Sequence, residues 1–212
     1  MNPTETPLRH GAIRDGRRLR GERARAAVLD HAARLLSVEG VEGLTFGRVA
    51  ELAGIGKSNL QVLFGDRLHL QQAALAHAVD LYRAEVVEPA LRRRTPLTRL
   101  RALVEGWFDF VANRRLPGGC VINAAGSEYR ARPGPLRELV QHYRLEARER
   151  MQELIEQAKA SGQLAVATDA RQLVTDLLAL QAFANVAALM GDEADFQRAR
   201  RAALARIAAN AQ

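Results

Sequence analysis

Lys57, Ser58, Asn59 and Gln61 place four short or flexible polar side chains within five consecutive positions. Asn and Gln can pair bidentately with adenine and Lys can reach guanine, each good pair contributing ~1–3 kcal/mol of discrimination between bases. Thr45, Arg48 and Arg67 lie at helix starts or flanks, and Arg23 lies near the start of an earlier periodic segment. Hydroxyl and guanidinium groups in such places fit phosphate contacts, which position a protein on a duplex without specifying sequence. The plain alternative is an ordinary wet helix face.

Reading base edges requires a rigid carrier, and the stretch from Leu44 to Phe64 predicts one. Thr45 is a good N-cap, because its hydroxyl can accept an orphan N–H at a helix start. Val49, Ala50, Leu52 and Ala53 give that helix an apolar face, and Gly54 can end it in the left-handed conformation. Ile55 plugs the turn, and Gly56 leads into a second helix with Leu60, Leu63 and Phe64 inward and the polar group outward. The expected motif is a helix-turn-helix.

With its flanks, this order resembles the N-terminal domain of TetR-family transcription regulators. The resemblance rests on Gly40, Thr45, Val49, Ala50, Ala53-Gly54-Ile55, Leu60, Phe64, Arg67 and Leu70. Two positions depart from the family pattern. Gln61 stands where an aromatic usually contacts phosphate, and can read a base instead; Arg67 replaces the usual Lys. The resemblance implies a repressor released from a double-stranded DNA operator by a small-molecule effector, acting as a homodimer.

Composition agrees with that expectation. Hydrophobic residues make up 48% of the 212 residues but aromatics only 5%, an Ala/Leu/Val-rich balance that favours helices. Thirty-one Lys and Arg against 24 Asp and Glu leave +7, which suits an anionic partner. A single cysteine fits a reducing cytoplasm. There is no apolar signal-peptide core, and no run is read as approaching the roughly 20 residues of a membrane span, so no membrane partner is expected.

Periodicity and caps predict an all-α chain of about nine helices. Residues 1–19 read as a disordered basic arm, either tracking DNA or simply solvated. Residues 20–70 read as the helix-turn-helix domain, its first helix running from Arg20 to Glu39. Residues 71–212 read as a ligand-binding and dimerisation domain. The fourth helix spans 67–91 behind an Asp66 cap, and Thr95-Pro96 opens the fifth. Cys120 to Tyr129 is a short helix; Pro135 begins a long one, Thr168-Asp169 caps another, and the last spans 193–208.

Aromatic side chains with a few polar groups suit a small-ligand pocket. The candidates are Tyr82, Trp107, Phe108, Phe110, Val111, Cys120, Asn123, Ser127, Tyr129, His142 and Tyr143, with an apolar or aromatic effector; the alternative is that these residues fill a core. Cys120 opens a helix, where the dipole favours thiolate. That admits a rival reading of a small cytosolic enzyme or redox sensor using Cys120, with His142, although buried cysteines are often plain packing. His69 and His77 are ~12 Å apart along one helix, too far to share a metal ion. No metal or cofactor is expected. For the dimer interface the apolar stripes of the last two helices are the candidates: Leu173, Leu177, Leu180 and Ala184 on one, Phe196, Ala203, Leu204 and Ile207 on the other. The alternative is that one chain satisfies them internally.

Overall fold

A computed structural model describes the backbone from residue 10 and the side chains from residue 21. Among the described residues there are nine helices and no strands. The first, α1, covers His10–Gly43, with a break at Gly40, where φ is +77°. It starts well before Arg20, so residues 10–19 are helical and not the expected arm; residues 1–9 of that arm lie outside the described residues.

The short helices α2 (Phe46–Ala53) and α3 (Lys57–Phe64) form as their caps predict. Thr45 Oγ1 accepts from Arg48 N at 3.3 Å, and Gly54 ends α2 at φ +65°. Asp66 accepts from His69 N and starts α4, Arg67–Tyr82. The helix runs on through a π segment, Arg83–Val87, and a last turn, Glu88–Leu91. Pro89 accounts for the widening: it cannot donate to the carbonyl four residues back and its ring crowds that carbonyl, which a π turn accommodates.

Five helices complete the chain: α5 (Pro96–Ala112), α6 (Val121–Glu128), α7 (Pro135–Ala160), α8 (Ala170–Met190) and α9 (Glu193–Ala208). A Thr95–Thr98 capping box starts α5. Phe108 packs edge-on between Trp107 and Phe196, at 5.1 and 5.6 Å, joining α5 to α9. One hydrophobic cluster runs from Val28 in α1 to Ile207 in α9. Gly118 packs so tightly on α1 that a Cβ there would lie 1.6 Å from the Ser37 carbonyl oxygen. That contact binds the loop before α6 to the base of the helix-turn-helix.

By length and composition α8 could cross a membrane, contrary to the sequence reading, but 39% of its apolar window is buried within the chain.

Candidate DNA-binding face and effector cavity

The outer face of α3 presents Lys57, Ser58, Asn59 and Gln61, all exposed. None of the four side chains is engaged in a hydrogen bond or ion pair among the described residues. Leu60 and Phe64 anchor the opposite face, with the Arg25 guanidinium 4.9 Å from the Phe64 ring centroid. Val62, 86% exposed, stands beside the polar group and was not singled out from sequence. An exposed apolar side chain on this face can meet a thymine methyl.

The three flanking residues are occupied. Thr45 caps α2 with its hydroxyl. Arg48 is clamped between Glu39 at 2.7 Å and Glu51 at 2.9 Å, and these pairings, chiefly the bond to Glu39, push its pKa up. Arg67 turns inward, donating to the Leu44 carbonyl at 3.1 Å and to the carbonyl and carboxylate of Glu42. Its first role is therefore to tie the start of α4 to the α1–α2 loop, where carbonyls at the end of a helical stretch need donors. Arg23 is exposed on α1.

A cavity of about 450 Å³ lies among α4, α5, α6, α7 and α8. Tyr82, Trp107 and Phe110 line its aromatic side, Tyr82 and Phe110 meeting edge-to-face at 5.5 Å. Burial pushes the Tyr82 hydroxyl's pKa well up, leaving a neutral donor. Cys120, Asn123 and Tyr143 also line it. The remaining candidates do not. Phe108 and Val111 are buried on the other side of α5, because the helical turn that aims Trp107 and Phe110 at the cavity sends their neighbours toward α9. Ser127 faces out and donates to the Asn123 carbonyl at 3.3 Å, while His142 is exposed on α7. Tyr129 donates to Glu42 Oε1 at 2.6 Å, away from the cavity.

Sequence reasoning missed the charged side. Arg83, Arg144, Glu146, Arg148 and Arg150 line the cavity, with Gln181 from α8. Arg83 and Arg150 both donate to Glu146. Desolvation raises the Glu146 pKa, but the two guanidinium groups outweigh it and the net shift is downward. Arg144, Arg148 and Arg150 recur every few residues on α7, and only the packing of α6 and α8 beside them encloses a volume.

The family model described as "Tetracyclin repressor-like, C-terminal domain" matches residues 96–203, just over half of the chain. The chain belongs to the TetR family. The HTH-type transcriptional regulator BetI of Burkholderia ambifaria is 34% identical over 86 residues, which cover 40% of this chain and 44% of BetI. The chain thus spans less than half the length of the curated relatives it first matches. Among solved structures, a TetR transcriptional regulator from Chloroflexus aurantiacus J-10-FL superposes with a TM-score of 0.82 at 23% identity, covering 91% of this chain and 98% of that one. AibR, solved in complex with isovaleryl coenzyme A and operator DNA, gives 0.63 at 20% identity over 77% of this chain and 86% of its own.

In this TetR-family chain α6 bridges the cavity and the helix-turn-helix. Its first turns supply Cys120, Val121 and Asn123 to the cavity wall. At its other end the Glu128 carboxylate accepts from the backbone N–H groups of Val41 and Glu42, both at 2.9 Å, just past the Gly40 break. Tyr129 adds its bond to Glu42, and Gln71 of α4 donates to the Val41 carbonyl at 2.7 Å.

The expected dimer stripes turn inward. Leu173, Leu177, Ala184, Phe196, Ala203 and Ile207 are buried within one chain, and Leu180 and Leu204 are half-buried against the same core. They pack α8 against α9. The large apolar residues of α8 that stay exposed are Phe183 (51%), Val186 (60%), Leu189 (40%) and Met190 (80%), and Ala179 and Ala182 are exposed as well. A largely apolar helix hides which of its sides is internal, so the stripe singled out from sequence is one that a single chain already covers for the most part.

Proposed function

We propose that this protein is a homodimeric, sequence-specific transcription regulator, a repressor released from its DNA operator when a small molecule occupies the cavity. The observation that carries this reading is α3, an anchored helix of a helix-turn-helix whose outer polar side chains have no partner among the described residues. Asn59 and Gln61, with Val62 beside them, read bases; Lys57 and Ser58 supply affinity. Arg23 and the already paired Thr45, Arg48 and Arg67 contact phosphates only by adding to or exchanging their present bonds.

Residues 20–70 carry DNA binding and residues 71–212 carry ligand binding and assembly, with α4 and α6 crossing between them. Two copies meet through the exposed apolar face of α8, setting two recognition helices at ~34–36 Å or a multiple, as an operator with two half-sites requires. The isovaleryl coenzyme A and operator DNA bound by AibR support control by a small molecule, as does the 450 Å³ cavity here. A ligand shifts the equilibrium only by binding the DNA-competent and DNA-incompetent states unequally. Such a protein works in the cytoplasm and needs no cofactor.

The protein acts by binding, not catalysis. Against the Cys120 enzyme reading, Cys120 lines the cavity while His142 is exposed outside it, so the expected thiol–imidazole pair does not form, and the Glu146 carboxylate in the same lining is taken up by Arg83 and Arg150. Fluorescence anisotropy with a labelled duplex, titrated over a range of salt, tests the proposal. Binding that weakens linearly in log–log form with salt is expected; absence of DNA binding at low salt refutes it.

A further inference from the structure

We propose that the cavity is built for an amphiphilic anion: an apolar body against Tyr82, Trp107 and Phe110, and an anionic head held by Arg144 and Arg148 with Gln181 as the buried hydrogen-bonding group. The proposal rests on the regulator reading for its consequence, but its binding chemistry stands on the cavity alone.

Three observations converge. First, the charges lining the cavity are unbalanced, four arginines against one glutamate. Glu146 is shared by Arg83 and Arg150, whereas Arg144 and Arg148 have no ion-pair partner among the described residues. They stand one helical turn apart on α7, so both guanidinium groups can reach one head. Second, Gly126 of α6 leaves room for Arg144: a Cβ there would lie 2.5 Å from Arg144 Nη1. Arg144 therefore lies against the short helix that forms the cavity wall. Third, Gln181 is only 3% exposed, lines the cavity, and its Nε2 has no hydrogen-bond partner. Leaving a buried amide donor unpaired is unfavourable, and a ligand oxygen accepting from it removes that cost. Oxygen and nitrogen of the amide exchange by a flip, so either end can be offered to the cavity.

A purely apolar ligand would leave the buried Gln181 amide unpaired and make no use of the exposed guanidinium groups of Arg144 and Arg148. A cation would meet like charge. An anion with an apolar tail satisfies every group named.

The full chain is titrated with octanoate, octyl phosphate, 1-octanol and octylammonium, using Trp107 fluorescence and calorimetry. Octanoate, octyl phosphate or both bind at least about tenfold more tightly than 1-octanol, the size of one charge-assisted hydrogen bond; comparison of the two distinguishes a carboxylate from a phosphate head. Arg144→Gln and Arg148→Gln each weaken the preferred anion on the order of tenfold while leaving 1-octanol within about twofold. Gln181→Leu weakens the anion as well, and circular dichroism checks that each variant is folded. Equal or tighter binding of 1-octanol or octylammonium, no binding of either anion at millimolar concentration, or anion affinity unchanged in both arginine variants overturns the inference. DNA binding is measured in the same buffer: DNA bound with no anion preference defeats this inference alone, and anion preference without DNA binding defeats the regulator reading alone.

Discussion

Replacing Glu128 by Ala cuts the clearest connection between the cavity wall and the helix-turn-helix. The carboxylate accepts two backbone N–H groups at 2.9 Å, from Val41 and Glu42. Hydrogen bonds to a charged group contribute about 1.5–3 kcal/mol when desolvated and little when exposed. The Val41 bond is part-buried and the Glu42 bond exposed, so the first dominates and a loss of about 2 kcal/mol is expected. For a domain of this size that corresponds to a Tm lower by roughly 4–8 °C. Hydrogen exchange supplies the second readout: the Val41 and Glu42 amides lose protection while amides in α8 and α9 do not. Tyr129→Phe removes the neighbouring bond to Glu42, and the double variant loses less than the sum, because both contacts hold the same turn. A Tm within about one degree of wild type with unchanged exchange at Val41 would refute α6 as the anchor.

Arg67→Ala lowers Tm as well as DNA affinity, by about 1–2 kcal/mol of stability, because its guanidinium ties α4 to the Leu44 and Glu42 carbonyls; a purely phosphate-binding arginine would leave thermal unfolding unchanged. Phe183→Glu combined with Val186→Glu gives a folded monomer by sedimentation, with operator affinity weakened on the order of a hundredfold through lost bivalency; Leu180 and Leu204, half-buried in one chain, are poorer sites for that test. A wild-type protein that sediments as a monomer at micromolar concentration contradicts the dimer. The Glu146 carboxyl has a pKa below its ordinary 4.5, so its stabilising contribution is fully present above that value and lost as pH falls through the lower, folded one. Glu146→Gln is accordingly less stable at neutral pH and shows a flatter stability profile on the acid side, as urea unfolding at a series of pH values will reveal.

Local chemistry made the helix boundaries legible in sequence. Thr45, Asp66, Thr95 and Asp169 each accept a backbone N–H at a helix start, and Gly54 and Gly191 end helices in the left-handed region. Such caps act within four residues, so one sequence suffices to find them. The inward side of α3 was equally clear, because Leu60 and Phe64 stand against four polar neighbours. In α8 apolar residues stand on more than one side, Phe183 and Val186 outward as well as Leu173 and Leu177 inward, and burial had to be decided by contact with α9. The arginines of α7 were obscure for a different reason. Charge usually marks solvent, and their role depends on α6 and α8, which are distant in sequence. Pro89 was the missed local signal, the cause of the π segment that begins with Arg83 beside the cavity.

In vitro selection of bound duplexes from a random pool, run in parallel for the wild type and for Asn59→Ala with Gln61→Ala, tests the central claim most directly. The wild type is expected to enrich a sequence with two related half-sites, and the double variant to relax or change the preferred bases while retaining salt-dependent affinity through Lys57. No enriched sequence from the wild type, or an identical one from the variant, would contradict α3 as the element that reads DNA.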